Sequence, residues 1–336
     1  MTDNRYSRQT LFPPFGEEGQ ARLRDARIAV VGCGALGTNI VNLLARAGVG
    51  YLRVIDRDIV ELSNLHRQVL FDEDDAREGR PKAEAARLHA ARINADVTVD
   101  ARVADLTPRN AEDLLADAEL LLDGTDNVET RYLVNDVAVK TARPWIYGGA
   151  VGSTAVAMAF VPGGPCLRCL WPDPPPPGAL PTCDTAGVLP PAPALAASMQ
   201  AAAAMRLIAA GDAPPYLLQW DVWDAEAARL RVPKRDDCPA CAARNFAYLE
   251  SGAASHAATL CGRNAVQISP PDAVTLDLDA VRARLAGVAE VRPRGLYIEA
   301  AVEGQTLLVF PDGRVIVKDT TDPARARTLV SRYIGY

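Results

Sequence analysis

No apolar run of about 18 residues occurs in this chain, so the sequence predicts no transmembrane helix. Met1 is followed by Thr-Asp-Asn-Arg rather than by a basic and then apolar leader, so a cytoplasmic location is expected. Positive charge is not in excess: 36 Lys and Arg face 42 Asp and Glu, a formal charge of -6. That balance argues against nucleic acid as a partner, and the lack of a long apolar run against a membrane. In a chain of this kind, seven cysteines point to metal or thiol chemistry rather than to disulfides. What is present is 336 residues at 49% hydrophobic content, enough for one large α/β domain and something smaller.

The chain is organised around residues 27–68. Arg27–Val31 is a short apolar run that stops at glycine, as a buried parallel strand does. Gly32, Gly34 and Gly37 follow at the G-x-G-x-x-G spacing, then Ile40, Val41, Leu43, Leu44 and Ala47 at helical intervals, with Gly48 as a left-handed cap. A second strand, Tyr51–Ile55, ends at Asp56, where an acid would accept hydrogen bonds from a ribose. Taken alone, this reads as a dinucleotide-binding oxidoreductase. The next residues weigh against it. Ser63, Asn64, His66, Arg67 and Gln68 crowd the carboxyl end of that strand, and an arginine beside the ribose acid suits a triphosphate.

Asp56–Gln68 (DRDIVELSNLHRQ), with GCGALG before it and Arg5-Tyr-Ser-Arg-Gln9 near the start, resembles the ThiF/MoeB/HesA family over roughly residues 5–245. These are bacterial relatives of the ubiquitin-activating enzymes. The resemblance implies a Rossmann-like, doubly wound, mostly parallel α/β sheet. It also implies adenylation, with ATP and Mg²⁺, of the terminal Gly-Gly carboxylate of a ubiquitin-fold sulfur carrier (ThiS/MoaD-like). Thiazole, molybdopterin and tRNA thiolation remain open as destinations of the sulfur, with a cysteine desulfurase as a possible donor. Gly34 and Ala35 would pass close to the nucleotide, Asp56 would hold the ribose, Ser63 and Asn64 would line the nucleotide site, and Arg67 and Lys82 would meet the phosphates. Lys82 belongs to Gly79-Arg-Pro-Lys82, which resembles a family motif. In the family, the second arginine of the RYSRQ motif reaches a neighbour's phosphates, making Arg8 catalytic in trans in a homodimer. A non-catalytic scaffold for a ubiquitin-like partner is the remaining alternative.

Later residues add to this. Glu119–Leu122 reads as a buried strand ending in Asp123-Gly-Thr-Asp-Asn127. Asp126 is the candidate Mg²⁺ ligand, with Asn127 beside it; helix capping is the competing use of such residues. Two C-x-x-C turns, Cys166/Cys169 and Cys238/Cys241, predict a structural Zn²⁺ site, a redox pair being the rival for either alone. Between them residues 172–193 hold nine prolines and are expected to be extended. There the resemblance implies a crossover loop over the carrier's tail, with Cys183 as nucleophile or as an inert thiol. Residues 1–246 would form the adenylyltransferase domain and 247–336 a small α+β module. Cys261 lies at that module's first strand, not in an anion-cradling loop, so it reads as a core cysteine rather than a rhodanese nucleophile.

Overall fold

The computed structural model describes residues 5–176, 183–250, 257–260, 264–270, 272 and 274–336, and only the backbone of Cys183, Asp184 and 257–260. Two compact units divide the chain, Met1–Ser251 and Gly252–Tyr336.

The first unit carries eight strands: β1 Arg27–Val31, β2 Tyr51–Ile55, β3 Thr98–Arg102, β4 Leu120–Asp123, β5 Trp145–Val151, β6 Thr154–Phe160, β7 Tyr216–Asp221 and β8 Glu226–Arg231. They form one 8-stranded sheet in the order β3-β2-β1-β4-β5-β6-β7-β8. β1 to β5 are parallel, whereas β6, β7 and β8 return antiparallel. β1 and β4 are apolar because both faces are covered. On one face lie the helices Ala35–Ala47, Lys82–Ile93 and Pro191–Ala210; on the other lie Ala111–Leu115 and Val128–Lys140. The fold is doubly wound, as expected from the sequence.

Local expectations fail where proline or acid was read as loop. Phe71–Gly79 contains a helix, Glu73–Glu78, because Asp72 and Asp75 form a capping box and Gly79 closes it at φ +61°. The long helix begins at Pro191 rather than Ala194. Proline in a first turn loses no hydrogen bond, since those N–H groups have no intrahelical acceptor. By length and composition this helix would suffice to cross a membrane, contrary to the sequence reading. In this fold Ala196, Ala197, Ala201 and Ala204 are instead buried in the core shared with Ala35–Ala47.

The second unit is a 6-stranded antiparallel sheet, ordered β11-β12-β13-β14-β10-β9. Its strands are β9 Ala257–Leu260, β10 Ala265–Ile268, β11 Glu290–Pro293, β12 Ile298–Val302, β13 Gln305–Val309 and β14 Val315–Lys318. Leu260 and Ala265–Ile268 therefore belong to two antiparallel strands, not to one. The helices Leu278–Leu285 and Pro323–Tyr333 bury Leu285 and Leu329 among Val266, Leu307 and Val317. Asp312-Gly313 sits in the predicted turn between β13 and β14, with Gly313 at φ +81°. Cys261 lies outside the described residues.

Candidate nucleotide site and thiolate centre

The site lies at the carboxyl ends of β1, β2 and β4. Three backbone segments meet there so closely that side chains are excluded. A Cβ on Gly37 would lie 2.0 Å from the Gly32 carbonyl oxygen, and one on Gly124 would lie 2.3 Å from the same atom. Gly32 also needs its positive φ of +87°. Gly34 differs: a Cβ there would meet only Gln68 Nε2, at 3.8 Å. Its surroundings are open, and Gly34 is the N-cap of Ala35–Ala47, so the positive end of that helix faces the opening.

Asp56, at the end of β2, is buried, and both of its oxygens are engaged. Oδ2 accepts from the Cys33 N–H (2.6 Å) and Oδ1 from the Asp58 N–H (2.7 Å). It thus ties the glycine turn to the next loop, a task the ribose reading did not include. Burial pushes its carboxyl up, against the pull of Lys82. Burial, then the Asp56 charge, pushes up the Cys33 thiol, which is therefore unreactive.

Lys82 opens its helix with a side chain 2% exposed and Nζ 3.3 Å from Asp58 Oδ2. Its backbone N–H donates to the Asp58 carbonyl (2.8 Å). Ser63 and Asn64 lie in a short helical turn; Ser63 is exposed and Asn64 buried. Arg67 Nη1 donates to the Ser63 carbonyl (3.1 Å) and lies 3.3 Å from His66 Nε2. Among the described residues Arg67 has no carboxylate partner.

On β4 the aspartates divide their work. Asp123 is buried, accepting from Thr125 N (2.9 Å), Thr125 Oγ1 (2.7 Å) and Arg131 Nε (2.9 Å). Burial opposes the Arg131 charge, yet Asp123 holds that guanidinium above its ordinary range. Asp126 is exposed at the opening. Capping falls to Asn127, whose Oδ1 accepts from Thr130 N (3.1 Å). Asp126 belongs to no cluster of three ligating groups among the described residues. A cation there would need oxygens from a substrate.

Arg8 lies elsewhere. Its neighbour Gln9 donates to the Ala47 carbonyl (2.9 Å), and Tyr6 packs on Gly48, where a Cβ would come within 2.4 Å of its ring. Both contacts are at the far end of the helix that starts beside Gly34. Thirteen residues at 1.5 Å each put about 20 Å between those ends, beyond an arginine's reach. Arg8 is exposed and, among the described residues, has no partner. Cys183 opens a helical turn, Cys183–Ala186, and its side chain lies outside what is described. A cavity of about 570 Å³, lined by Arg22, Glu119, Pro144 and Ile208 among others, lies at the opposite, amino-terminal edge of the sheet and takes no part in this site.

Cys166, Cys169, Cys238 and Cys241 come together. Cys166 and Cys238 sulfurs are 3.6 Å apart, Cys169 and Cys241 3.5 Å, and all four lie within 4.8 Å of one another. A tetrahedron of Zn–S bonds of about 2.3 Å puts sulfurs about 3.8 Å apart, so the set fits Zn²⁺. The hydrogen bond to Cys169 and burial push the Cys166 thiol up, while the same bond holds the Cys169 thiol down. A metal ion supplies the charge that lets all four ionise. The cluster packs on Val139, near the carboxyl end of Val128–Lys140 and about 20 Å from Asn127 at its start, so it stands apart from the nucleotide site.

Sequence reasoning missed Gln200, which hydrogen-bonds two strand carbonyls; a lone glutamine on the buried face of an alanine-rich helix was the available signal.

The ThiF family model matches residues 6–240. The Bacillus subtilis protein named sulfur carrier protein ThiS adenylyltransferase is 42% identical over 336 residues, covering 98% of this chain and 99% of that protein. The Thermus thermophilus sulfur carrier protein adenylyltransferase is 41% identical over 246 residues, covering 71% of this chain and 90% of its own. Among solved structures, E. coli MccB with ATP shares the fold at a TM-score of 0.63 and 24% identity, over 71% of this chain and 75% of that one. Matched by the family model over most of its first unit and by a bacterial adenylyltransferase from end to end, the chain belongs to the ThiF family.

Proposed function

We propose that the protein adenylates the terminal glycine carboxylate of a ubiquitin-fold sulfur carrier of the ThiS kind, in the cytoplasm, and releases pyrophosphate. The observation that carries this reading is the open Gly34 at a helix amino terminus, with Arg67 and Asp126 on the loops that follow β2 and β4 and Lys82 opening the next helix. The choice of a ThiS-type carrier is supported by the relative that matches both units and is named for ThiS.

The incoming carboxylate is ionised at neutral pH and needs no general base. It attacks the α-phosphorus; the bond to the β-phosphate oxygen breaks and pyrophosphate leaves. This chain's residues position and neutralise. Lys82 turns from Asp58 toward the phosphates, Arg67 adds a second cation, and Asp56 holds the turn that carries Gly34. Mg²⁺, when held by Asp126, would supply charge neutralisation across the phosphates. Arg8, too far from its own site, would serve the site of a second copy in a homodimer. The half-exposed Leu218 and Trp220, which alternate onto one face of β7, offer an apolar surface for the carrier. Cys183 would be silent in adenylation and act in later sulfur transfer from a cysteine desulfurase.

Pyrophosphate exchange into ATP tests the reading. Exchange should require a ThiS-type carrier and vanish when its final glycine is deleted. Exchange without any carrier would overturn the proposal.

A further inference from the structure

The ladder between β4 and β5 stops after two pairs, Leu121↔Trp145 and Leu122↔Ile146. Beyond it the strand ends are joined by side chains. From one face, Gln200 Nε2 donates to the Asp123 carbonyl (2.8 Å) and the Ile146 carbonyl (3.1 Å). From the other face, Arg131 Nη2 donates to the Thr125 carbonyl (2.8 Å) and the Gly148 carbonyl (3.1 Å), while its Nε holds the Asp123 carboxylate. The Gly148 N–H in turn lies 3.5 Å from Asp123 Oδ2. Gln200 is fully buried, and Gly148 is shaped to it: a Cβ at 148 would lie 2.3 Å from Gln200 Oε1.

We propose that Gln200 is a positioning residue which, opposite Arg131, sets the gap between β4 and β5 and so the place of the loop carrying Asp126. The inference deepens the adenylylation reading and rests on it for its kinetic arm. Three facts support it. Gln200 donates to Asp123, three residues before Asp126 on a short loop. Its amide replaces the ladder that would otherwise fix these strand ends. Its helix starts two residues after the segment Gly187–Leu189, which pairs with Gly152 just beyond β5. Movement of that segment would therefore be transmitted through one rigid helix to the Asp126 loop. A glutamine in this place acts on the reaction only through what it holds, as partners of metal-binding groups do.

Gln200→Met keeps length and volume and removes both donors. In the wild-type protein without nucleotide, the amides of Gly124, Thr125 and Gly148 should exchange slowly with deuterium, and in Gln200→Met about tenfold or more faster. Carrier-dependent pyrophosphate exchange should fall about 10–100-fold, with the half-saturating Mg²⁺ concentration rising by a similar factor. A role in packing alone would lower the melting temperature and leave the Mg²⁺ requirement of the folded protein unchanged. Gly148→Ala, which pushes the amide aside, should reproduce both effects and stands in should Gln200→Met not fold. Wild-type amide protection in the variants, or an unmoved Mg²⁺ requirement, would overturn the positioning role. Loss of protection alongside a wild-type protein that shows no exchange with any carrier would instead overturn the adenylylation reading.

Discussion

Lys82 is the residue whose chemistry turns most on its surroundings. A buried ammonium beside Asp58, and close enough to pull on Asp56, is tolerated because these charges neutralise one another, and an unpaired one is costly. Lys82→Met should reduce carrier-dependent pyrophosphate exchange about 10²–10³-fold, the usual cost of a lost charge contact in a transition state. Steady-state exchange assays check it. Asp136 gives a second residue-scale prediction. It is fully buried, accepts from the Tyr248 N–H (2.9 Å), and burial pushes its carboxyl up to about 6. A carboxyl raised in the folded state favours folding while protonated; that contribution is complete below the unfolded value near 3.8 and is lost as pH rises through about 6. Asp136→Asn should therefore gain stability relative to wild type between pH 4 and pH 7, by on the order of 1–3 kcal/mol, read from denaturant melts at several pH values. The places of Asp56 and Asp126 just after β2 and β4 were legible from strand ends in the sequence, whereas Lys82 was singled out only by its resemblance to a family motif. The engagement of both Asp56 oxygens by backbone N–H groups was not legible, because it depends on how two loops pack.

Among the elements, the parallel strands and the helix after the glycines could be read directly, since a buried strand is apolar throughout and Gly48 marks the stop. Proline and acid misled. Pro191 and Pro193 sit in a first helical turn and Asp72 caps one, so breakers in sequence became starters in structure. The two C-x-x-C turns were legible as pairs, while their meeting depends on the route of the chain between residues 169 and 238. That meeting fastens the turn after β6 to the segment after β8. Cys238→Ser should lower the melting temperature by several degrees and reduce bound zinc from one ion per chain to a small fraction, by metal analysis and calorimetry. The nucleotide affinity of the folded protein should be unchanged, because the sulfurs lie a helix length from Asn127.

At the scale of the whole molecule, a single chain leaves Arg8 at the wrong end of a 13-residue helix for its own phosphates. The proposed homodimer, each copy lending Arg8 to the other, would resolve this. Mixing inactive Arg8→Ala with inactive Lys82→Met should restore activity, up to about half of one site per dimer at full exchange of subunits. No recovery from a mixture shown to exchange subunits would place Arg8 outside the reaction. The central claim, transfer of an adenylyl group to a carboxylate, is tested most directly on the carrier itself. A ThiS-type carrier incubated with the protein, ATP and Mg²⁺ should gain the mass of one adenylyl group at its terminal glycine, with pyrophosphate as the only other product. A carrier left unmodified, or ADP and a phosphorylated carrier in place of the adenylate, would contradict the account.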